Sequence, residues 1–387
     1  MLTIKPSECA NCGACYNSCP TNSIYIKSDE LFYCLSIDLE KCIKCGTCVV
    51  NCPVIQKTHD GHLPLAAYGA WNKDVTVIQN SSSGGVFWEL AQKILGQGGV
   101  VYSAVYDENY KSVVFKSTDQ VDLRKMQKSK YTESAVGLTY REIKDILQSG
   151  RTVMFCGTPC QAYGLRTYLG KEYDNLLICD FSCGGVPSHE IYCRYIEELE
   201  KKYNSKVRNI DFRPKTHGWE RHSILVEFKN GKRYNKLAML DGYFRLFLDG
   251  RLTVRDSCIS CSFNELHASD ITLADFWKHE KISKMTNDKG ISLVLCNTAK
   301  GVNSWYDIQD AFVIEKLDTK EASYNLNKGQ PKEEYKKQRR DFLELYKQAG
   351  LKKSTKTFSD LSATKMFRLY VSNIIHRRCK WDRKKQQ

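Results

Sequence analysis

The sequence has no long apolar run. None of its stretches approaches the roughly 18 consecutive apolar residues that a helix needs to cross a bilayer. No N-terminal signal peptide is visible either, because residues 1–7 lead directly into a cysteine motif. These features predict a protein of the reducing cytoplasm, which would reach a membrane only from the surface.

Histidine is scarce, and the eight histidines form no catalytic or metal-binding pattern. His217, His222 and His267 are scattered along the chain, and each is more typical of an ordinary polar residue than of a metal ligand. No Ser/His/Asp arrangement accompanies them. The sequence therefore favours neither a triad hydrolase nor a histidine metal centre.

Cysteine, by contrast, is abundant. The 387 residues include 18 cysteines, and nine of them lie within the first 52 positions. In a chain of this length, clustered cysteines favour metal or redox chemistry over a disulfide scaffold. The protein is therefore expected to carry metal or redox centres.

Two copies of the pattern C-x2-C-x2-C-x3-C-P account for eight of these cysteines. In such a pattern three thiolates on a tight loop hold three corners of a 4Fe–4S cube, and the fourth cysteine ligates the other cube. Cluster one is therefore predicted at Cys9, Cys12, Cys15 and Cys52, and cluster two at Cys42, Cys45, Cys48 and Cys19. Zinc or a disulfide knot is the alternative, which one motif leaves open and two intact copies argue against. Residues 1–60 resemble a bacterial two-cluster ferredoxin.

The remainder of the chain alternates predicted strands and helices. This order predicts an α/β fold, a mixed sheet with helices on both faces, preceded by the small α+β dicluster ferredoxin domain. We expect three parts: a ferredoxin domain at 1–60, an α/β domain at 61–350 and a basic tail at 351–387.

Several short motifs occur in a recognisable order after the ferredoxin. They are "SSSGGVF" at 81–87, "KSKYTES" at 128–134, "CGTPCQAYGLR" at 156–166, "DFSCGGVPS" at 180–188, "RDSCISCSF" at 255–263 and "DITLADFW" at 270–277. Their order and wording resemble the coenzyme F420 (deazaflavin) hydrogenase/dehydrogenase beta-subunit family over about residues 65–300. The chain departs from that family at Lys278, where relatives usually have glycine, and at Cys156, where they often have serine.

The resemblance implies bound FAD. Carried over by position, the flavin contacts are Ser82, Ser83, Gly84, Gly85, Lys130 and Tyr131. Small residues at the start of a helix suit a pyrophosphate, because backbone N–H groups and the helix dipole favour negative charge there. The alternative for "SSSGG" is an ordinary helix-capping turn. The family also has a counterpart of "FRPKTHGW", so Arg213, Lys215 and Trp219 either line a substrate pocket or form a plain strand-to-loop segment.

The resemblance also implies a third 4Fe–4S cluster. The matching family positions are cysteine at Cys160, Cys183, Cys258 and Cys261. Four thiolates complete a cube, and we call this predicted site cluster three. A four-cysteine zinc site is the rival interpretation. The remaining cysteines outside the ferredoxin, among them Cys156, are expected to be mostly structural.

These features together predict an iron–sulfur flavoprotein oxidoreductase. It would pass electrons between 4Fe–4S clusters, FAD and a two-electron acceptor, which is the deazaflavin coenzyme or another substrate. The partner would be a redox protein or that small acceptor. The alternative is a non-catalytic, ferredoxin-like electron-transfer subunit of a larger redox complex.

The C-terminal tail concentrates positive charge. Residues 351–387 contain eleven Lys or Arg and two Asp, in a chain whose net charge is +14. Apolar residues at helical spacing give one face: Met366, Phe367, Tyr370, Val371, Ile374 and Ile375. Such a helix would either lie on an anionic membrane surface or dock on the protein's own core. Nucleic acid is not expected as a partner, because no binding module accompanies the charge.

Overall fold

A computed structural model describes residues 4–29, 31–56, 63–248, 251–263, 267–277, 279–326 and 333–359. Its strands are β1 (Ile24–Asp29), β2 (Phe32–Ile37), β3 (Ala66–Asn72), β4 (Val100–Tyr106), β5 (Val113–Ser117), β6 (Ser134–Ala135), β7 (Val153–Gly157), β8 (Leu176–Phe181), β9 (Val207–Asp211), β10 (Ser223–Phe228), β11 (Arg233–Leu237), β12 (Ile271–Asp275), β13 (Ser292–Cys296) and β14 (Phe312–Leu317).

The helices are α1 (Ala14–Ser18), α2 (Thr47–Val50), α3 (Pro53–Gln56), α4 (Val75–Gln79), α5 (Val86–Gly96), α6 (Thr139–Gln148), α7 (Pro159–Leu169), α8 (His189–Tyr203), α9 (Gly242–Leu248), α10 (Asp256–Ile259), α11 (Ala299–Tyr306), α12 (Thr319–Leu326) and α13 (Glu333–Phe358). Among the described residues no helix is long and apolar enough to cross a membrane.

A nine-stranded mixed sheet forms the centre of the protein, with strand order β14-β3-β13-β12-β8-β7-β4-β5-β6. Strands β12, β8, β7 and β4 run parallel to their neighbours within this set. Antiparallel strands flank it, since β13 pairs with β12 and β5 pairs with β4. Because the four central strands point the same way, the loops after β7, β8 and β12 emerge at one edge of the sheet.

Helices cover both faces of this sheet, as the sequence predicted. Consecutive residues of a strand point to opposite faces. On β7, Met154 packs with α5 and α11 on one face, whereas Val153 and Phe155 pack with α6 and α7 on the other. Both faces are apolar, which explains why these strands are continuous apolar runs.

A second sheet, β11-β10-β9, packs against α8, α9 and α13. Within α13, Phe342 and Leu351 are buried in this core. The turn at Asn230-Gly231 joins β10 and β11 into a hairpin, and Gly231 has a positive φ of 82°.

The ferredoxin domain packs directly on the central sheet's helices. Its β1–β2 hairpin and short helices place α1 against α6 and α7. The Arg141 side chain donates hydrogen bonds to the carbonyls of Asn17 and Cys19, at 2.7 and 2.6 Å. Thr167 donates to the carbonyl of Asn51 at 3.0 Å. These hydrogen bonds therefore join the α/β domain to the ferredoxin backbone around both cysteine motifs.

Candidate functional site: three cysteine clusters and an adjoining cavity

The cysteines predicted for cluster one lie together in the buried part of the ferredoxin domain. Cys9, Cys12, Cys15 and Cys52 are all buried. Burial raises the pKa of the Cys15 thiol, and the nearby Cys9 and Cys52 thiols raise it further. Gly13, at φ 85°, turns the backbone into α1 between these cysteines. The Cys12 thiol interacts electrostatically with Cys9, Cys15 and Cys52, so the four predicted ligands are neighbours.

The cysteines predicted for cluster two lie closer to the surface. Cys19, Cys42, Cys45 and Cys48 line one small cavity of about 20 Å³. Cys45 is exposed. Burial alone would raise the pKa of Cys19, but hydrogen bonds from Ser23 and Thr21 lower it to about 7. The Ser23 amide lies 3.3 Å from the Cys19 sulfur and its hydroxyl 3.1 Å. These donors favour a thiolate ligand at this position.

The third set of cysteines converges at the edge where the parallel strands end. Cys160 lies in the first turn of α7 after β7, and Cys183 follows β8. Together with Cys258 and Cys261 they line a cavity of about 210 Å³, which Ala10 and Asn11 of the first cysteine motif also border. Burial raises the pKa of Cys258 to about 12, and the Cys183 thiol contributes to this rise.

The four thiols line a cavity that is larger than a single zinc ion needs. A zinc ion holds its four sulfurs at 2.3 Å, so neighbouring sulfurs would lie roughly 3.8 Å apart. Within the described residues, no three Cys, His, Asp or Glu side chains are grouped closely enough to hold one metal ion. Four thiols around a cavity of 210 Å³ fit the larger 4Fe–4S group.

A second, larger cavity of about 280 Å³ adjoins the cluster-three site, and we call it the Ser82 cavity. Ser82, Ser83 and Gly85 line it at the start of α5, and Lys130 and Tyr131 line another wall. Gly85 has φ 95° and begins the helix, so the free N–H groups of the first turn of α5 lie at this wall. Such a helix end attracts a phosphate group.

Gly84 has a different role from the one its sequence position suggested. Its N–H donates to the Ser292 hydroxyl at 2.8 Å, and a Cβ added to it would lie 2.3 Å from the carbonyl oxygen of Ala70. The glycine therefore allows the Ser82–Gly85 turn to pack against β3 and β13. Its amide is not available to a ligand.

The side chains of Lys130 and Tyr131 both make contacts with neighbouring protein groups. The Lys130 ammonium donates to the carbonyls of Met126, Gln127 and Lys128, at 3.2, 2.8 and 3.2 Å. Burial lowers its pKa to about 7. The Tyr131 ring packs edge-on against Phe244, with centroids 4.8 Å apart. Lys130 thus shapes the loop that forms the cavity wall.

An ion pair between the buried Arg213 and the partly buried Asp275 supports the Ser82–Gly85 turn. The Arg213 guanidinium donates to both carboxylate oxygens of Asp275, at 2.7 and 3.0 Å, and to the Ser82 carbonyl at 3.3 Å. Trp219 donates to Asp275 at 3.0 Å, and Lys215 donates to the Ser83 carbonyl at 2.8 Å. Arg213, Lys215 and Trp219 therefore hold the turn in place.

Sequence reasoning missed the role of Asp275, Glu133 and Ser292 in these sites. Asp275 stands in the quoted "DITLADFW" motif, directly after the last apolar residues of β12. A carboxylate at the carboxyl end of a predicted parallel strand was the available indication of a buried polar site. Glu133 and Ser292 gave no comparable indication.

The two cavities share a wall. Ser134, Thr158, Gln161 and Cys183 line both the cluster-three cavity and the Ser82 cavity. Cys156, which the sequence left as mostly structural, lines the Ser82 cavity. The proposed sites thus form a series from the cluster-two cysteines, of which Cys45 is exposed, through clusters one and three to the Ser82 cavity.

Comparison with known proteins identifies both parts of this arrangement. Residues 8–55 match the 4Fe-4S dicluster domain, and residues 150–322 match the C terminus of the coenzyme F420 hydrogenase/dehydrogenase beta subunit. Over residues 150–322 the chain is therefore similar to the coenzyme F420 hydrogenase/dehydrogenase beta-subunit family. The predicted resemblance to that family, the fold class and the dicluster ferredoxin domain are thereby confirmed.

Among solved structures, a chain of the F420-reducing [NiFe] hydrogenase complex from Methanosarcina barkeri is similar to this one at 16% identity. The match covers 74% of this chain and 94% of that chain, with a TM-score of 0.45. The search among curated proteins gave no match.

Proposed function

We propose that this protein is a flavin-dependent oxidoreductase of the beta-subunit type with three 4Fe–4S clusters. Electrons would pass through cluster two, cluster one and cluster three to or from FAD in the Ser82 cavity. The observation that supports this most is the wall shared by the cluster-three cavity and the Ser82 cavity, which includes Cys183.

The proposed cofactors and the residues around them have separate roles. The clusters transfer one electron at a time, and a flavin can collect two for a two-electron acceptor such as the deazaflavin coenzyme. The start of α5 would bind the flavin phosphates. Arg213 and Asp275 would keep the Ser82–Gly85 turn in position, because their ion pair holds the turn's backbone.

The partners and the division into domains are part of this proposal. A redox partner protein would exchange electrons at Cys45, because that cysteine is the exposed one of the cluster-two set. The proposed division is domains at 1–60 and 61–350 and a tail from 351, although α13 continues through a kink at Gly350 as far as Phe358. The predicted membrane-surface residues of the tail lie outside the described part of the chain.

Anaerobic purification followed by iron, sulfide and flavin analysis tests the proposal. The expected result is about twelve irons and one FAD per chain. Clusters without flavin would instead indicate the alternative, a non-catalytic electron-transfer subunit. Turnover with an artificial electron acceptor then separates an enzyme from a carrier.

A matched pair of variants tests the flavin position. Ser82→Asp places a carboxylate beside the start of α5, where it would repel a phosphate, whereas Ser82→Asn has similar size and no charge. Flavin should be lost from the Asp variant and kept in the Asn variant, with equal iron content in both. Full flavin retention in Ser82→Asp would place the flavin elsewhere.

A further inference from the structure

Arg255 and Glu133 form a buried ion pair between the cluster-one and cluster-three sites. Their side chains are 2% and 1% exposed, and Arg255 Nη1 lies 2.5 Å from Glu133 Oε1. Burying one of these charges alone would be strongly unfavourable, so each depends on the other. No step of electron transfer proposed above requires a charged pair at this place.

Arg255 contacts both cluster sites. Its Nε donates to the carbonyl of Cys9 at 2.8 Å, and its Nη2 donates to the carbonyl of Tyr33 at 2.8 Å. Its own carbonyl accepts a 3.0 Å hydrogen bond from the amide of Cys258, at the start of α10. Arg255 is therefore next to a predicted ligand of each cluster.

Glu133 lies on the other side of the guanidinium. Its Oε2 accepts a hydrogen bond from the Tyr33 amide at 3.1 Å, and its side chain borders the cluster-three cavity. The cysteines of cluster two are elsewhere, with Cys19 bonded to Ser23 and Cys45 to Thr47. The ion pair can therefore affect two clusters and leave the third unchanged.

The sign of the electrostatic effect follows from the charge of a reduced cluster. Reduction adds one negative charge, so a nearby positive charge raises the reduction potential and a negative charge lowers it. Arg255 alone would raise the reduction potentials of clusters one and three, so that an electron would tend to stay on them. Glu133 balances that charge within a buried region where screening by water is weak.

We propose that Glu133 is a positioning residue that acts through Arg255 and keeps the reduction potentials of clusters one and three low. Neither cluster then retains an electron that is passing between cluster two and the Ser82 cavity. This inference rests on the proposed function, because it requires a cluster at each of the two sites.

Potentiometric titration of the anaerobic full-length holoprotein, followed by electron paramagnetic resonance, tests the inference. Glu133→Gln has nearly the same shape as the native side chain and leaves Arg255 positive. We expect the potentials of clusters one and three to rise and that of cluster two to stay unchanged. In Glu133→Gln/Arg255→Gln, where both charges are removed, the potentials should return toward the wild-type values.

The control is Asp119→Asn, which breaks the exposed ion pair between Asp119 and Arg151 and should change no potential. A Cys45→Ser variant assigns the cluster-two signal. Unchanged potentials in a fully iron-loaded Glu133→Gln variant would overturn the inference, and so would an equal shift of all three clusters. Eight irons in the wild-type chain would instead contradict the proposed function.

Arg255→Lys provides a second test in case Glu133→Gln loses iron. Lysine keeps the positive charge beside Glu133 but cannot make all the hydrogen bonds to the Cys9 and Tyr33 carbonyls. If charge is what matters, the potentials of clusters one and three should match the wild type. A shift of either potential in an iron-loaded Arg255→Lys variant would show that hydrogen bonding sets them, against the inference.

Discussion

The hydroxyl of Tyr140 donates a 2.6 Å hydrogen bond to the carbonyl of Cys12, in the first cysteine motif. The same hydroxyl lies 2.8 Å from the carbonyl of Gln161, at the start of α7. One fully buried tyrosine thus connects the cluster-one loop to the helix that carries Cys160. The ferredoxin domain is fixed on the α/β domain through the backbone of its ligand loop, so the distance between clusters one and three is set by packing.

Gly164→Ala should disturb this packing. A Cβ on Gly164 of α7 would lie 2.9 Å from the Cys12 carbonyl oxygen and 3.2 Å from its sulfur. We expect destabilisation of about 1–3 kcal/mol, as for other overpacked sites, and a weaker cluster-one signal. Urea unfolding under anaerobic conditions and electron paramagnetic resonance measure the two effects.

Gly96→Ala is the matched control for this variant. Gly96 is also helical, but an added Cβ there would have no atom within 4 Å. The alanine should be neutral or stabilising by up to about 1 kcal/mol. Equal effects of the two substitutions would show that the contact between α7 and Cys12 does not hold the domains together.

The central sheet could be predicted from sequence more readily than the sites. Strand β7 and residues 176–179 of β8 are apolar runs because both faces of the sheet are buried there, so they stand out in the sequence. The eight ferredoxin cysteines are close along the chain and their spacing carries the ligand pattern. The cluster-three cysteines lie on three separate segments, and the family resemblance was needed to group them.

The support of the Ser82–Gly85 turn could not be predicted in the same way. Arg213 and Asp275 are 62 residues apart, and their pairing depends on how β9 and β12 are placed in space. Gly84 looked like a ligand-binding glycine because small residues before a helix favour both phosphate binding and close packing. Only the position of Ala70 and Ser292 behind it distinguishes the two roles.

The pair of His267 and Asp180 should make stability depend on pH. Their atoms Nδ1 and Oδ2 lie 2.9 Å apart. Burial alone would lower the pKa of His267, but the Asp180 carboxylate raises it above the usual value near 6.5. A raised folded-state pKa stabilises the protein fully below about pH 6.5, and that contribution is lost as the pH rises through the folded-state value.

Accordingly, His267→Gln should reduce the free energy of unfolding more at pH 6 than at pH 9, by about 1.5–3 kcal/mol at the lower pH. His222→Gln is the control. Burial lowers the pKa of His222 to about 4, so its contribution to stability decreases as the pH falls below 6.5. Anaerobic urea unfolding at both pH values should therefore show opposite trends. Parallel trends would contradict the assigned ion pair.

Replacing either Cys160 or Cys258 by serine should remove one cluster and leave two. The iron content is expected to fall from about twelve to about eight per chain, because each cube contains four irons. Cys193→Ser is the control, since Cys193 lies on α8 near His189, away from the three thiol sets, and should keep all the iron. Loss of the ferredoxin signals in the Cys258→Ser variant would show that the ligand sets were assigned wrongly.

The basic tail would either bind anionic membranes through its amphipathic face or dock on the protein's own core, and a truncation after α13 distinguishes the two. Residues 351–358 continue α13, and Leu351 and Phe358 pack on the core of the second sheet. A chain ending at residue 359 keeps this packing and removes the predicted amphipathic segment.

If the tail binds membranes, the full chain should float with anionic vesicles at low salt, because each basic residue near such a surface contributes about 1 kcal/mol. The 1–359 chain should not float, and neutral vesicles and high salt should release the full chain. Equal flotation of the two chains would show that the segment after residue 359 does not carry the membrane contact.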